Sequence, residues 1–166
     1  MAETKAVSAE LAGKYLTFKV SDEEYGIEIL KVQEIIHLQS ITRVPKAPDC
    51  VRGVINLRGK VIPVVQLRKK FGLDEIEDTE RTCIIVVQIA KGAQRTTMGI
   101  IIDEVKEVLD IKEENIEETP SFGSDIDTQF ILGIGKIGER LKILLDIDKV
   151  LTATEIVTVS TIAEPV

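Results

Sequence analysis

The chain has 166 residues and a formal net charge of −7 at pH 7, from 21 Lys and Arg against 28 Asp and Glu. This acidic balance, with 4 Phe, 2 Tyr and no Trp, argues against a nucleic-acid-binding protein, because such proteins neutralise phosphates with clustered basic residues and stack bases on aromatic rings. No stretch reaches the roughly 18 uninterrupted apolar residues that a membrane-spanning helix needs, so we expect a soluble, cytoplasmic protein with an aliphatic core.

Short β-elements are predicted near the start of the chain. Residues 1–13 are polar and alanine-rich and are expected to form a frayed tail. Residues 15–29 contain two alternating stretches around an acidic turn, which predicts a β-hairpin. Residues 30–36 fit either one helical turn or a continued strand. The two prolines of 44–48 predict a loop, because proline donates no ladder hydrogen bond.

The central hairpin over 51–67 has the clearest two-strand pattern in the chain. Its first strand alternates between an apolar face and a mostly polar face. Pairing Leu57 with Val61 keeps the apolar sets of both strands on one side and implies a three-residue loop. Gly59 supplies the positive φ that such a loop needs. This register places Ile62 on the outer face of the hairpin.

The same hairpin lies in the most basic part of this acidic chain. Residues 51–73 carry six basic side chains and no carboxylate, namely Arg52, Arg58, Lys60, Arg68, Lys69 and Lys70. The remaining residues carry 15 basic and 28 acidic groups. A run of charge is usually a solvated surface, and that interpretation stays open beside the alternative of a docking surface for an acidic partner.

The second half again alternates strands and turns. Residues 74–80 carry five carboxylates and are predicted to be a linker. The nearly continuous apolar run 83–89 predicts a strand buried on both faces, and 97–103 predicts the next strand. A last hairpin is predicted over 131–147, and the tail 152–166 has no clear period.

Two cysteines, Cys50 and Cys83, each begin an apolar run. We expect both to be small buried hydrophobic residues, since free cysteine is among the most buried residue types. A structural disulfide between them stays open, although no secretory signal supports one.

An internal repeat relates the two halves of the chain. When Gly133 is placed on Gly53, the apolar residues of the last hairpin fall on those of the central hairpin. When Gly99 is placed on Gly26, the strands before these hairpins also match. We call these two superpositions the Gly53/Gly133 alignment and the Gly26/Gly99 alignment. The chain is therefore predicted to be a duplication of one all-β unit of about 70 residues.

Each unit offers about five short strands with an apolar face, and closing such strands into a barrel removes their exposed edges. The predicted fold class is all-β, with one five-stranded barrel over 14–80, a second over 81–151, and short helical turns. Ile62 is apolar whereas its repeat mate Lys142 is polar, so Ile62 is a candidate partner contact on the outer face.

The motif-like features of the chain carry no catalytic or metal chemistry once their context is considered. Residues 133–138 match the glycine spacing of a dinucleotide fingerprint, but the next segment alternates as a strand instead of opening a helix. Asp125 and Asp127 begin like a calcium loop, but Phe130 occupies the position that requires glycine. His37 is the only histidine, which excludes a His-based metal site and a Ser/His/Asp triad.

These features favour a binding module over an enzyme, with no predicted catalytic residue, metal ligand or cofactor. The clustered carboxylates at 113–118 are expected to be solvated, and a carboxylate-pair hydrolase stays an alternative without a positive signal. A duplicated barrel that binds a nucleic acid or a small ligand is the other alternative, and the net charge of −7 speaks against nucleic acid.

Two motifs connect the chain with a known family. Residues 22–35, DEEYGIEILKVQEI, and residues 52–67, RGVINLRGKVIPVVQL, strongly resemble the CheW family of bacterial chemotaxis coupling proteins. The combination of Asn-Leu-Arg-Gly with the following proline is highly specific, and the resemblance covers about residues 14–151. Gln66 departs from the family pattern, in which Asp is common at that position.

The resemblance implies two SH3-like barrels side by side, in an adaptor that catalyses nothing and needs no cofactor. The implied partners are the regulatory domain of the histidine kinase CheA and the cytoplasmic tip of methyl-accepting chemoreceptors, and the membrane is reached only through those receptors. The kinase domain is expected to meet the chain barrel end to barrel end, because it has the same fold. The helical receptor tip is expected to lie in an apolar groove between the barrels.

The resemblance, together with the repeat, also names partner-binding residues. They are Val32, Glu34, Gly53, Asn56, Arg58, Ile62 and Phe122. Arg58 has no equivalent mate in the second unit, and Phe122 resembles a position used to close kinase–coupler rings, so a partner role is favoured for both. Val32 and Gly53 do have repeat mates, so a core role for Val32 and a backbone role for Gly53 stay open.

Overall fold

The computed structural model describes residues 11–74, 76–91, 94–119 and 130–150, and these residues form a predominantly β structure. In chain order the strands are β1 Gly13–Val20, β2 Glu23–Glu28, β3 Val32–His37, β4 Val51–Leu57, β5 Lys60–Gln66, β6 Cys83–Lys91, β7 Gln94–Ile102, β8 Glu104–Ile111, β9 Ile116–Glu117, β10 Ile131–Ile137 and β11 Arg140–Leu145. The described helical segments are α1 Leu67–Lys70 and the 3₁₀ turns Ile29–Lys31, Glu113–Asn115 and Ile147–Lys149.

The strands form two separate sheets. Sheet A has the order β8-β1-β2-β11-β10-β9, and sheet B has the order β3-β6-β7-β5-β4. Most neighbours are antiparallel, but β2 with β11 and β5 with β7 run parallel. The sixth strand of sheet A is the two-residue β9, whose counterpart in sheet B is the single bridge between Thr42 and Val54.

Each sheet takes strands from both halves of the chain, which corrects one sequence expectation. The sequence predicts one barrel from 14–80 and one from 81–151. Instead, sheet B runs continuously from β3 to β7, whereas sheet A combines β1 and β2 with β8 to β11. The physical reason is that equivalent hairpins can complete the sheet of either repeat, so exchanging them keeps every strand paired.

The pairing pattern supports the predicted duplication. β4 and β10 are equally long, and their first residues, Val51 and Ile131, coincide in the Gly53/Gly133 alignment. The parallel contacts also match, because Val64 pairs with Gly99 in sheet B as Leu144 pairs with Gly26 in sheet A. Both parallel pairs therefore follow the two alignments that the sequence predicts.

The chain passes between the sheets twice. β2 leads to β3 through the 3₁₀ turn Ile29–Lys31, and β7 leads to β8 through Asp103. The ambiguous stretch 30–36 is therefore part of a helical turn followed by a strand. We call these two places the first and the second crossing.

Buried hydrophobic residues, mostly aliphatic but including Tyr15, Phe18 and Tyr25, form three clusters. The sheet B core lies on one face of sheet B, the sheet A core lies on one face of sheet A, and a larger shared core takes residues from both sheets. β6 serves two of them, because Ile84 and Val86 enter the sheet B core while Ile85 and Val87 enter the shared core. The prediction that this strand is buried on both faces is confirmed.

The central hairpin has a tighter turn than the sequence predicts. Leu57 pairs with Lys60, not with Val61, so the turn contains two residues. Arg58 has φ of 51° and Gly59 has φ of 87°. Two consecutive positive φ values are typical of the tight hairpin turn that matches the twist of paired strands.

This change of register moves Ile62 to the inside of the protein. Ile62 pairs with Ile55, is 3% exposed and belongs to the sheet B core, whereas Val61 is 52% exposed. A shift of one residue exchanges the two faces of a strand. The expectation that Ile62 lies on the outer face is therefore wrong, and Val61 occupies that place.

Both cysteines are free and buried, which confirms the expectation for Cys50 and Cys83. Burial raises the pKa of the Cys83 thiol, and a backbone hydrogen bond at Val105 opposes that rise only partly.

None of the described helices combines the length and the apolar character that crossing a bilayer requires.

Candidate partner-binding site

The candidate site lies where the β4–β5 turn meets the edge strand β3. β3 and β4 are the two edge strands of sheet B. A contact between them therefore joins the two edges where the sheet curves round on itself. Arg58 in the turn forms a two-pronged ion pair with Glu34 on β3. Its Nη1 donates to Oε2 at 3.2 Å, and its Nη2 donates to Oε1. We call Glu34, Asn56 and Arg58 the hairpin site.

The ion pair keeps both side chains charged while leaving Arg58 exposed. Hydrogen bonding from Arg58 lowers the pKa of the Glu34 carboxyl, and the bond to Glu34 raises the pKa of Arg58. The Arg58 side chain is 66% exposed and that of Glu34 is 28% exposed. An ion pair this exposed adds little to stability, so its main consequence is to fix the orientation of the guanidinium.

Asn56 holds the turn that presents Arg58. Its Oδ1 accepts a hydrogen bond from the backbone N–H of Gly59 at 2.8 Å. Such side-chain bonds to a nearby backbone group are the usual reason for asparagine beside a turn. Because positive φ is unfavourable for arginine, this bond supports the conformation that points Arg58 at Glu34. Asn56 therefore contributes to the hairpin site by stabilising the backbone of the turn with its side chain.

Gly53 allows the loop before β4 to cross closely over that strand. Thr42 and Val54 exchange backbone hydrogen bonds of 2.9 and 2.8 Å beside it. A Cβ atom on Gly53 would lie 2.2 Å from the backbone oxygen of Thr42. The structure thus gives Gly53 a backbone role, which the repeat left open in the sequence.

The other predicted site residues are not gathered at the hairpin site. Val32 is half-buried and packs against the shared core directly after the first crossing. Ile62 is buried in the sheet B core, so it offers no surface to a partner. Phe122 lies outside the described residues.

The basic run 51–73 is not a uniformly positive surface. Arg52 forms a two-pronged pair with Asp78, with distances of 3.1 and 2.7 Å. Arg68 is 9% exposed and pairs with Asp103. Together with the Arg58 pair, these contacts neutralise all three arginines of the run within the chain. Of the three arginines, only Arg58 in the turn is mostly exposed, so it is the arginine of the run best placed to meet an acidic partner.

A groove lies between the edge of sheet B at β3 and the edge of sheet A at β8. Its volume is about 490 Å³. Apolar lining comes from Ile35, Ile36 and Val105, and Ile35 is 44% exposed. Arg81 and Glu104 lie on its polar side, with their charged groups 3.5 Å apart. A partly apolar groove of this kind suits an amphipathic helix.

Comparison with known proteins assigns the chain to a family. A family described as "CheW-like domain" matches residues 14–155. The chain belongs to the CheW-like domain family. It is 37% identical over 165 residues to "Chemotaxis protein CheW" of Klebsiella aerogenes, covering 99% of this chain and 97% of that protein. It is 38% identical over 142 residues to the protein of the same name from Helicobacter pylori, covering 83% and 81%.

A solved structure agrees with the CheW-like fold. The crystal structure of scaffolding protein TtCheW from Thermoanaerobacter tengcongensis has a TM-score of 0.75 and 34% identity, covering 87% of this chain and 91% of that one. The resemblance stated from the two sequence motifs is therefore confirmed. The predicted fold class, two SH3-like barrels, is confirmed as well.

Two features of this CheW-like chain have no signal in the sequence pattern. The groove joins β3 to β8, which lie far apart along the chain, so local periodicity does not reveal it. The Arg68–Asp103 pair likewise depends on the course of the chain between sheets.

In the described ranges, no group of three or more His, Cys, Asp or Glu side chains is placed to hold a metal ion.

Proposed function

We propose that this chain is a chemotaxis adaptor that couples methyl-accepting chemoreceptors to the histidine kinase CheA without catalysing a reaction. Family membership over residues 14–155 supports a chemotaxis role, and the solved relative is named a scaffolding protein. The observation that carries the proposal is the exposed, oriented Arg58 within the motif that resembles the CheW family. The adaptor reaches the membrane through its receptors.

The hairpin site provides one docking surface. A guanidinium has five N–H donors, and the pair with Glu34 uses only part of them. Arg58 therefore keeps donors for an acceptor on a partner, in the same hairpin as the exposed apolar side chain of Val61, whose strand partner is Asn56. Arginine next to apolar surface is a common composition of binding hot spots.

The groove between β3 and β8 provides the second surface. We propose that the helical tip of a chemoreceptor lies there with its apolar face against Ile35, Ile36 and Val105. Each single contact can be weak, because assembly into an array raises the effective concentration of every partner. The adaptor would then transmit a receptor change to the kinase by holding both in a fixed geometry.

Replacing Arg58 tests the proposal. In vesicles reconstituted with a chemoreceptor and CheA, Arg58→Ala is expected to lose most receptor control of kinase activity. The loss follows because an oriented, exposed arginine is truncated while the fold is untouched. Kinase activity is measured with and without attractant, and circular dichroism verifies folding.

Arg52→Ala is the matched control. Arg52 lies in the same hairpin and also forms a two-pronged pair with a carboxylate, but away from the turn. It is expected to keep receptor control close to that of the parent protein. Full receptor control in Arg58→Ala, or equal loss in both variants, would show that the hairpin site is wrongly assigned.

Phe122 stays a separate prediction, based on the resemblance alone. Phe122→Ser is expected to weaken the closure of kinase–coupler rings more than binding to the receptor. Ring formation is measured by electron microscopy of assemblies with the kinase, and receptor binding by titration. Equal loss of both, or loss of neither, contradicts the assignment.

A further inference from the structure

The two crossings between the sheets are each accompanied by an ion pair. The apolar contacts of the shared core hold the sheets together, but apolar burial has no preferred direction. Packed layers joined only in this way can slide by small shear motions. Directional contacts between the sheets are therefore the features that could set the angle between the barrels. The ion pairs at the crossings are shorter and less exposed than the Arg81–Glu104 pair of the groove, in which Arg81 is 73% exposed.

At the second crossing, the Asp103 carboxylate gathers groups from both sheets. Arg68, in the helix α1 that follows β5 of sheet B, donates to it from Nη2 at 2.6 Å and from Nε at 3.0 Å. The backbone N–H of Ser21, in the β1–β2 turn of sheet A, donates to it at 2.7 Å. The N–H of Asp103 donates to the carbonyl of Lys19 at 3.1 Å, and Arg68 also donates to the carbonyl of Asp74 at 2.9 Å.

At the first crossing, the Asp148 carboxylate likewise accepts hydrogen bonds from groups of different elements. Lys31, in the crossing itself, donates from Nζ to Oδ2 at 2.9 Å. The backbone N–H of Ala90, on β6 of sheet B, donates to Oδ1 at 2.8 Å. Asp148 lies in the 3₁₀ turn that follows β11 of sheet A, and its own N–H donates to Asp146 at 3.1 Å. The bond to Asp148 raises the pKa of Lys31, which keeps the pair charged.

The repeat relates one charged position of each arrangement to the other, with opposite charge. In the Gly53/Gly133 alignment, Arg68 corresponds to Asp148. In the Gly26/Gly99 alignment, Asp103 corresponds to Leu30, the neighbour of Lys31. The base of one crossing thus falls on the acid of the other, whereas Lys31 lies one residue after the position that matches Asp103. The two ion pairs are therefore not copies of one another.

We propose that the Arg68–Asp103 and Lys31–Asp148 pairs are two clasps that fix the orientation of one barrel relative to the other. The side chains are 10% and 21% exposed at the second crossing, and 31% and 25% exposed at the first. Ion pairs at this depth contribute little net stability, because desolvation offsets most of their attraction, but their geometry can select one arrangement. The clasps would hold the hairpin site of sheet B at a constant angle to sheet A.

Double electron–electron resonance on the isolated chain measures this orientation directly. Spin labels at Val61→Cys in sheet B and Val108→Cys in sheet A use exposed positions, in a background of Cys50→Ala and Cys83→Ala. The parent protein is expected to give one narrow distance distribution.

The clasps are removed by apolar replacement, which separates orientation from stability. The double variant Arg68→Met with Asp103→Leu is expected to keep the unfolding midpoint but to widen the distance distribution roughly twofold, as shear between packed layers would. Lys31→Met with Asp148→Leu is expected to widen it too. This second clasp is the more exposed one, so it gives a result even if the first double variant does not fold. Arg68→Lys keeps the charge, loses the two-pronged geometry and is expected to give an intermediate width.

The Lys142–Glu24 pair is the matched control. It has a distance of 2.7 Å and exposures of 5% and 13%, but both residues lie in sheet A. Lys142→Met with Glu24→Leu is expected to leave the distance distribution unchanged. Unchanged distributions in the folded clasp variants, or equal widening in this control, would overturn the proposal. The test needs neither receptor nor kinase, so its outcome is independent of the proposed function.

Discussion

Gly53 shows how a single residue sets the path of the backbone next to the hairpin site. The segment through Thr42 crosses β4 so closely that its carbonyl oxygen occupies the place of a Cβ atom on Gly53. The two backbone hydrogen bonds between Thr42 and Val54 depend on this approach. Any side chain at position 53 must push the segment away, and those bonds would be strained or lost.

Gly53→Ala is therefore expected to lower the free energy of unfolding by about 1–3 kcal/mol, which is the usual cost of forcing an atom into an occupied space. Urea unfolding measures the loss. Gly138→Ala is the control, because Gly138 has φ of 63° but no atom within 4 Å of the added Cβ. The control is expected to lose only about 1 kcal/mol, from backbone strain. Equal losses in the two variants would show that the close approach is unimportant.

The contacts between the candidate site residues could not be predicted from the sequence. The motifs single out Glu34 and Arg58, but nothing in their spacing shows that they form one ion pair. Their contact depends on β3 and β4 being the two edges of one sheet, which is a property of the topology. The surroundings of Arg68 were unpredictable for the same reason. In the sequence Arg68 extends a basic run, whereas in the structure it is buried and forms an ion pair with Asp103.

At the scale of elements, the central hairpin combines a tight turn with an irregular strand. The register shifts between Val51 and Gly53, so β4 contains a bulge. Beyond the bulge, Ile55 and Ile62 point into the sheet B core, whereas Val51 belongs to the shared core on the other side. The hairpin is thus buried on both faces near its base and on one face near its turn.

This double burial explains why the register could not be derived from period-two alternation. Alternation predicts a register only when one face is polar, because slipping by one residue must then expose apolar groups. Here both alternatives bury an apolar set. The existence and approximate bounds of β4 and β5 were predictable, since the strands are rich in β-branched residues and flank a glycine.

Replacing neighbouring residues distinguishes the two registers. Ile62→Ala is expected to lower the free energy of unfolding by about 2–5 kcal/mol, because it leaves a cavity in the sheet B core. Val61→Ala is expected to change it by no more than about 0.5 kcal/mol, because Val61 is 52% exposed. Urea midpoints of the two variants provide the comparison. The reverse order of effects would support the three-residue loop instead.

At the scale of the whole molecule, the duplication was predictable and the exchange of hairpins was not. The repeat appears in the sequence as matched glycines and apolar positions, and the same matches appear as equivalent pairings in the two sheets. Local periodicity is identical whether β1 and β2 complete their own repeat or the other one. The choice between these arrangements depends on long-range packing in the shared core, which no local pattern encodes.

The exchange makes each half of the chain dependent on the other. Within a half, the described pairings are hairpins such as β1–β2, β4–β5, β6–β7 and β10–β11, with β9 beside the last. The pairings that join these hairpins into sheets, β1–β8, β2–β11, β3–β6 and β5–β7, all connect the two halves. Isolated hairpins are at best marginally stable in water, and the two-residue β9 adds little to one of them, so neither half is expected to hold a stable sheet by its own native pairings.

Residues 1–80 and 81–166, produced as separate polypeptides, are therefore expected to be unfolded alone and to form the native structure when mixed. Amide dispersion in ¹H–¹⁵N correlation spectra reports folding of whichever half carries the ¹⁵N label. Mixing is expected to restore dispersion in both, because the four connecting pairings and the shared core form only in the complex. A half that folds cooperatively on its own would mean that each repeat can close its own barrel, as the sequence first suggests.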